Sequence, residues 1–279
     1  MNYLIAIFFI FSLASHVVRI LATTSGSKKQ LYILRHGQAT HNPRAEEARA
    51  NGCSYDEFME LMRQDDSLDS SLTDLGRAQA KLVYEQSLKH LEANIQLVVS
   101  SPLSRAIETA DFVVPSVQQR VCVEDFRIIS GWLLNAKRRT RSELQQLFPH
   151  WNLDNLQTQE DTLWTPDLET HADCAQRGFQ GLCWIMERPE DSILLVTHGG
   201  LLRFTMQQHN RVKMMDGRTS KQEERDVQAR FGNCELRRYT MEWEAEETEN
   251  DNHSTEKAQR SLVLTELDTN GDNSQEAAS

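Results

Sequence analysis

Histidine and arginine side chains occupy the positions at which three short apolar segments of the chain end. Arg35 and His36 directly follow the first segment. Arg105 comes shortly after the second, and His198 directly follows the last. A guanidinium donates paired hydrogen bonds to anionic oxygens, and an imidazole nitrogen can attack phosphorus as a nucleophile. These residue types are suited to hold a phosphoryl dianion and to accept it on a ring nitrogen.

The apolar segments themselves have the form of strands that are buried on both faces of a sheet, because they are short, continuous and rich in β-branched residues. They cover residues 31–34, 95–100, 121–123 and 193–197. Helical patterns fill the intervals: 74–88, with Thr73 as N-cap and Leu75 and Leu82 near the inner face, then 102–112, 142–149, 168–187 and 200–208. This alternation predicts a three-layer α/β/α sandwich with a mainly parallel central sheet, formed by one domain over residues 30–243.

Open α/β sheets bind ligands at the carboxyl ends of their strands, so the predicted sheet brings the histidines and arginines to one edge. A helix that starts at Gly199 and Gly200 would present free backbone N–H groups beside His198. The other histidines, including His41, are interpreted as surface or core residues.

Four motifs follow one another along the chain: Leu34-Arg35-His36-Gly37-Gln38-Ala39-Thr40-His41-Asn42, Leu72-Thr73-Asp74-Leu75-Gly76-Arg77, Ser101-Pro102-Leu103-Ser104-Arg105-Ala106-Ile107-Glu108-Thr109 and Val196-Thr197-His198-Gly199-Gly200. In this order and at these separations they resemble the histidine phosphatase superfamily, in its phosphoglycerate mutase-like branch. The resemblance covers about residues 30–243. Residues 164–170 followed by Arg177, and residues 231–236, resemble a subgroup common in plants, algae and fungi.

The resemblance implies that His36 is the nucleophile and forms a phosphohistidine that water later hydrolyses. It implies that Arg35, Arg105 and His198 bind the phosphoryl oxygens, and Asn42 matches the family position that contacts the bound phosphate. It implies neither a metal ion nor an organic cofactor.

One expected group is missing from the pattern. Enzymes of this branch usually carry a glutamate, three or four residues before the glycine that here is Gly131, which protonates the leaving oxygen. Ile128 and Arg127 stand at those positions. A general acid contributes about 10²- to 10⁴-fold in rate, so its loss should slow alkyl phosphates most. The candidate replacements are Asp125 or Glu124, ahead of Glu160 or Asp161.

A basic cluster, Lys137, Arg138, Arg139 and Arg141, precedes or opens the predicted helix near Ser142. Positive charge is unfavourable at that end of a helix. Arg138 and Arg139 are therefore candidates for a second anion contact with the substrate, and a solvated face paired with nearby acids is the alternative.

Charge is distributed unevenly along the 279 residues, whose net charge is −11. Such a chain is not expected to bind nucleic acid, because phosphate backbones are held by basic faces. Residues 244–279 hold ten acidic and two basic residues. We expect this segment to be a disordered acidic tail, in which only 261–264 could form a transient helix.

The amino terminus is apolar over residues 4–14, and the apolar character continues to residue 21, interrupted by His16 and Arg19. Residues 1–25 are interpreted as a signal peptide, or alternatively as a membrane anchor, which predicts the secretory pathway or a membrane-anchored protein. A cytoplasmic protein with a misassigned start is the alternative. Any membrane contact is expected through residues 4–21 alone. The five cysteines suggest neither a disulfide framework nor a zinc site.

Together these features predict hydrolysis of a phosphomonoester, on a phosphorylated small molecule or a phosphorylated protein side chain. Two alternatives remain: phosphoryl transfer of the phosphoglycerate mutase type, and a catalytically silent phosphate-binding or scaffold protein.

Overall fold

The computed structural model describes residues 28–41, 43–64, 67–216, 231–244 and 260–267. The expectations for residues 1–25 and for Asn42 lie outside these ranges. The described α-helices are α1 (Pro43–Ala50), α2 (Tyr55–Arg63), α3 (Asp74–Val83), α4 (Ser104–Val113), α5 (Arg141–Leu147), α6 (His171–Met186) and α7 (Gly199–Gln208). The described strands are β1 (Lys29–Arg35), β2 (Leu97–Ser100), β3 (Arg120–Cys122), β4 (Ser192–Thr197), β5 (Val212–Asp216), β6 (Leu236–Trp243) and β7 (Leu262–Leu267).

The strands form one sheet in the order β3-β2-β4-β1-β6-β7-β5. Four of the six pairings are parallel, and β6 is antiparallel to both of its neighbours. The sheet is therefore mixed and mainly parallel, as predicted.

Alternate residues of each central strand enter different hydrophobic cores, because successive side chains of a strand point to opposite faces. Leu31 and Ile33 of β1 belong to the core that contains α6 and α7. Tyr32 and Leu34 belong to the core that contains buried residues of α3, α4 and α5. Helices thus cover both faces of the sheet, and the predicted three layers are confirmed.

Threonine side chains fix the starts of three helices. The Thr73 hydroxyl accepts a hydrogen bond from the Gly76 N–H, and the Thr170 hydroxyl accepts one from Asp173. Thr140 forms a reciprocal capping box with Glu143 at the start of α5. Each cap satisfies an N–H that the helix itself leaves without a partner, which sets where the helix begins.

The inner face of α3 differs from the prediction. Gly76 and Ala80 are its buried residues, whereas Leu75 and Leu82 are each more than half exposed. Gly76 faces inward because α3 packs closely against the loop that follows β1, and Ala80 lies in the core beside Tyr32 and Leu34.

The tail prediction is wrong for residues 262–267. They form strand β7, which lies between β6 and β5 in the sheet, rather than a transient helix in a disordered segment. Leu262 and Leu264 are fully buried in the core beside α6 and α7. Burial of these two leucines stabilises an order that the acidic composition of the segment disfavours.

Within the described part of the chain, none of the helices has the length and apolarity to cross a membrane. All five cysteines are free thiols.

Candidate active site

The register between β1 and β4 brings the two motif histidines together. Arg35 at the end of β1 lies opposite Thr197 at the end of β4, in parallel pairing. His36 and His198 are the next residues of the two strands, so both side chains emerge at the carboxyl edge of the sheet. Their ring centroids are 4.9 Å apart, with an edge-on orientation of 61°.

A single hydrogen bond fixes which nitrogen of His36 is available. Nδ1 lies 2.7 Å from the carbonyl oxygen of Gly37. A carbonyl oxygen only accepts, so Nδ1 is the protonated nitrogen and Nε2 carries the lone pair. The backbone is anchored as well, because His36 N–H donates to the Thr197 carbonyl and Gly37 N–H donates to the Thr109 hydroxyl. His36 is thus held as a neutral imidazole with a free Nε2.

Burial and nearby positive charge keep this imidazole neutral. Desolvation lowers the pKa of His36 well below its usual 6.5, and the charges of Arg105 and Arg35 lower it further. His36 is only 2% exposed. An unprotonated nitrogen is what nucleophilic attack requires.

His198 is oriented by Ser101, which follows strand β2. Its Nε2 lies 2.8 Å from the Ser101 hydroxyl oxygen, and that oxygen accepts a hydrogen bond from the Leu103 N–H. If the hydroxyl donates its own proton to Nε2, Nδ1 of His198 is the protonated nitrogen. Nδ1 is buried without a hydrogen-bond partner among the described residues. His198 can therefore donate to an oxygen of a bound phosphoryl group.

Arg35 is held from two sides at the edge of the site. Its Nη1 donates to the Phe231 carbonyl at 2.8 Å, and its Nη2 forms an ion pair with Glu46 at 2.7 Å. Its Nε is buried and has no partner within the described ranges. The close approach of its side chain to Gly199 is possible because glycine has no Cβ: a Cβ at Gly199 would lie 3.3 Å from Cδ of Arg35.

Arg105 is a fully buried cation in the first turn of α4. Its Nη1 donates to the Asn135 carbonyl at 2.8 Å, while Nε and Nη2 have no partner among the residues described. Burial lowers its pKa to about 10, so it remains charged at neutral pH. The buried Asp69 caps α4 through the Ser104 N–H and hydroxyl, and its carboxyl offsets part of the Arg105 charge. Two unsatisfied donors on a buried cation are suited to bind an anion.

Helix α7 adds backbone donors to this edge of the sheet. It begins at Gly199, with His198 as its N-cap residue. The first N–H groups of a helix have no partner within the helix, and they carry the positive end of its dipole. The backbone N–H groups at Gly199 therefore lie at the same edge of the sheet as both histidines.

Two glycines allow α3 to lie against the loop that carries His36. A Cβ at Gly37 would lie 2.7 Å from the carbonyl oxygen of Gly76, and a Cβ at Gly76 would collide with the carbonyl of Gln38. The Gln38 carbonyl accepts hydrogen bonds from the N–H and the hydroxyl of Thr73. This contact explains why the first two motifs both carry glycine.

A cavity of about 400 Å³ opens above His36. Its wall includes His41 and Glu46, neither of which was predicted as a site residue. The rings of His41 and His36 have centroids 6.4 Å apart, and burial lowers the pKa of His41 well below 6.5. The position of His41 within the first motif was the signal that could have identified it. Asn42 lies outside the described residues.

Helices α1 and α2, which the sequence did not predict, form much of the cavity wall. Phe58, Met59 and Met62 of α2 face it. Their spacing and the Ser54 N-cap are helical signals, but the polar composition of residues 43–57 obscured them.

The predicted replacements for the proton donor are not at the cavity. Glu124 accepts hydrogen bonds from two buried guanidiniums, Arg138 at 2.6 Å and Arg127 at 3.2 Å. Asp125 packs on α6, where its Cβ would be 3.1 Å from a Cβ at Gly181, and burial raises its pKa. Neither carboxyl borders the cavity, whereas Ile128 does. Glu124 thus neutralises internal cations, and Asp125 faces a helix.

Asp161 and Glu160 are not donors to the cavity either. Asp161 binds Arg127 through both oxygens, at 2.7 and 2.6 Å, and the Glu160 carbonyl accepts from Arg138. Both residues belong to the polar network behind the site.

Arg138 does not form the predicted anion contact. It is 2% exposed, and its guanidinium donates to Glu124, Thr158 and backbone carbonyls of residues 139, 159 and 160. These partners occupy its donors, because a buried guanidinium must satisfy them inside the protein. Arg139 does not line the cavity, and its Nε lies 3.5 Å from Asp69.

Metal ligands are not grouped in the described residues: these contain no set of three or more histidine, cysteine or acidic side chains placed to hold an ion.

Comparison with known proteins agrees with the motifs. Residues 31–229 match the family model described as the histidine phosphatase superfamily (branch 1). Phosphoglycerate mutase-like protein 1 of Arabidopsis thaliana is 27% identical over 248 residues, which cover 75% of this chain and 79% of the relative. Glucosyl-3-phosphoglycerate phosphatase of Mycolicibacterium vanbaalenii is 28% identical over 183 residues, which cover 62% and 71%.

The chain also aligns with solved structures of other proteins. The mycobacterial glucosyl-3-phosphoglycerate phosphatase determined with VO3 aligns with a TM-score of 0.44 at 22% identity, over 76% of this chain and 93% of that one.

Proposed function

Because the chain belongs to the histidine phosphatase superfamily, as its motifs predicted, we propose that it hydrolyses phosphomonoesters through a phosphohistidine formed on His36. The observation that carries this proposal is the tautomer of His36, whose Nδ1–H···O bond to Gly37 leaves Nε2 unprotonated. One relative is named as a phosphatase of a phosphorylated small molecule, which supports a substrate of that class.

In the first step, Nε2 of His36 attacks phosphorus while Arg35, Arg105 and His198 bind the phosphoryl oxygens. The P–N bond forms, the P–O bond to the alcohol breaks, and the oxygen leaves with the bonding pair and takes its proton from solvent. Buried donors that are already in place stabilise the charge that develops on the oxygens, without reorganisation.

In the second step, a water molecule attacks the phosphorus of the phosphohistidine. The P–N bond breaks, its electron pair returns to Nε2, and the water proton is released to solvent or to phosphate. The products are inorganic phosphate and the neutral His36 of the starting state.

The lack of a carboxyl at Ile128 predicts a preference for good leaving groups. An alkoxide leaves poorly without protonation, whereas a phenolate does not need it. We expect p-nitrophenyl phosphate to be hydrolysed at least about 10²-fold faster than glycerol phosphate, compared as kcat/KM. Equal rates for the two substrates would contradict this leaving-group argument.

Trapping labelled phosphate on the protein tests the intermediate itself. Quenching with alkali during turnover of ³²P-labelled substrate should give protein-bound label that is base-stable and acid-labile, and His36→Ala should remove it. His90→Ala, a change at an exposed histidine, is the matched control and should retain the label. If wild-type protein takes up no label and hydrolyses nothing, the silent phosphate-binding alternative is favoured instead.

Phosphoryl transfer of the mutase type is the second candidate, because the plant relative is named phosphoglycerate mutase-like. It requires that water be kept from the phosphohistidine. Conversion of 3-phosphoglycerate that depends on 2,3-bisphosphoglycerate would favour it over hydrolysis.

A further inference from the structure

The cavity above His36 has a polar floor and an apolar wall. The floor carries Arg35, His36 and the start of α7 at Gly199. The wall is formed by side chains of α2, of the loop after β3 and of α7: Phe58, Met59, Met62, Ile128, Leu133 and Phe204. A volume of about 400 Å³ lies within the roughly 300–1,000 Å³ of pockets that bind small organic ligands. The cavity therefore accommodates an organic group attached to the phosphate.

The apolar wall is firmly packed. Met59, Met62 and Leu133 are each less than 9% exposed and form one hydrophobic cluster with Ala45 and Ala136. Phe58 packs on that cluster, and the Arg49 guanidinium lies over its ring at 3.4 Å. The wall thus presents a fixed apolar surface to whatever is attached to the phosphoryl group.

Two polar side chains of the lining, Glu46 and Asn233, are already engaged, and Tyr55, Arg49 and Arg203 also border the cavity. Glu46 is paired with Arg35 at 2.7 Å, and the Asn233 amide donates to the His36 carbonyl at 3.3 Å. A sugar or hydroxy acid would bring several hydroxyl groups against the apolar surface, and each buried hydroxyl without a partner costs binding energy. The apolar side chains of the wall offer no partner to such hydroxyl groups.

The same cavity favours a leaving group that needs no proton. Among the described residues on its lining, Glu46 is the one carboxyl, and Arg35 binds it. A phenolic oxygen departs without an acid far more readily than an alkoxide does.

Resting on the function proposed above, we propose that the substrate is a phosphate monoester of an apolar phenol, whose aromatic ring lies against the α2 wall. The ring contacts Phe58 and Ile128 while its phosphate occupies the donors around His36. In the reaction, the P–O(aryl) bond breaks, the phenolate leaves with the electron pair, and it takes its proton from solvent.

Binding and turnover are measured with matched probes. The binding probes are 2-naphthylphosphonate and methylphosphonate, which carry the same anionic group and cannot be hydrolysed. The substrates are 2-naphthyl phosphate and phenyl phosphate, whose phenols are similarly acidic, so a difference between them reports contact with the second ring. We expect 2-naphthylphosphonate to bind with a Kd at least about tenfold lower than that of methylphosphonate. We expect kcat/KM for 2-naphthyl phosphate to be at least about tenfold higher than for phenyl phosphate.

Phe58→Ala should bring the ratio of the two Kd values and the ratio of the two kcat/KM values close to one. Its affinity for methylphosphonate should stay unchanged, which also shows that the variant is folded. Phe112→Ala, which truncates another half-buried phenylalanine on α4, is the matched control and should keep both ratios. If Phe58→Ala does not fold, Tyr55→Ala at the half-exposed rim of the cavity replaces it.

The outcomes separate the two proposals. Equal Kd values for the two phosphonates would overturn the aromatic substrate class. His36-dependent hydrolysis of both phosphates at equal kcat/KM would also overturn it, but would leave the phosphatase function intact. Tight, Phe58-dependent binding of naphthylphosphonate without any His36-dependent hydrolysis supports the aromatic site and contradicts the phosphatase.

Discussion

The hydrogen bond from Nδ1 of His36 to the Gly37 carbonyl determines which ring nitrogen is unprotonated, and residue types alone do not predict it. The sequence identified His36, His198, Arg35 and Arg105 because each follows a strand end, and the structure places them at one edge. It did not identify Glu46 as the partner of Arg35, since an acid on a polar helix is usually solvated. The basic cluster around Arg138 led to a wrong prediction of an anion contact, because a sequence does not show which arginines of a cluster are buried.

Ile128 offers a test at the same scale, because it borders the cavity and is one of the two positions at which the resemblance implies an acid. In Ile128→Glu, the apolar surroundings should raise the pKa of the new carboxyl, so that it remains protonated near neutral pH. We expect kcat/KM for glycerol phosphate to rise by about 10²-fold or more, with little change for p-nitrophenyl phosphate. Initial rates with both substrates measure this effect.

Ile128→Gln is the matched control, since an amide of nearly the same shape has no acidic proton. Equal gains in the glutamate and glutamine variants would show that proton donation is not the cause.

Secondary structure was predictable where a segment is buried on both faces. β1 to β4 are continuous apolar runs, and all were expected. β6 was missed because only its alternate residues are buried, and charged residues such as Arg237 and Glu242 interrupt its apolar pattern. β7 was missed because its short apolar run lies in an acidic segment, and only its partners in the sheet make burial possible.

The contact between α3 and the loop after β1 gives a prediction for whole elements. Gly76→Ala places a Cβ against the Gln38 carbonyl, so the helix must move away from the loop that carries His36. We expect the free energy of unfolding to fall by about 1–3 kcal/mol, together with a loss of kcat. Urea denaturation and p-nitrophenyl phosphate turnover measure both.

Leu75→Ala on the same helix is the control, because Leu75 is 53% exposed and its truncation should change stability by less than about 0.5 kcal/mol. A Gly76→Ala protein as stable and active as wild type would mean that the two elements are not closely packed.

The molecule as a whole concentrates neutral imidazoles in one buried place. Burial, together with the charge of Arg105, lowers the pKa values of His36, His41 and His198 well below 6.5. In the unfolded chain the same side chains bind protons near pH 6.5. Their contribution to stability is therefore complete above that pH and is lost as the pH falls below it toward the lowered values.

We expect each imidazole to add about 1.4 kcal/mol per pH unit to the fall in unfolding free energy below pH 6.5. Urea denaturation in phosphate-free buffers between pH 7.5 and 5 measures this slope. His41→Asn should make the slope shallower by about one such increment. His90→Asn at an exposed position should leave it unchanged, and a wild-type slope equal to that of His41→Asn would contradict the assignment.

Strand β7 has a consequence for how the polypeptide is made. It is the last described strand, yet it lies between β6 and β5, both of which leave the ribosome before it. Until it emerges, the nascent chain holds two strands whose shared neighbour does not yet exist, with open hydrogen-bonding edges that invite association with other chains. A premature stop codon before residue 262 leaves those edges permanently uncovered, so we expect quality-control machinery to recognise such a product even though every residue of the phosphate site has been translated.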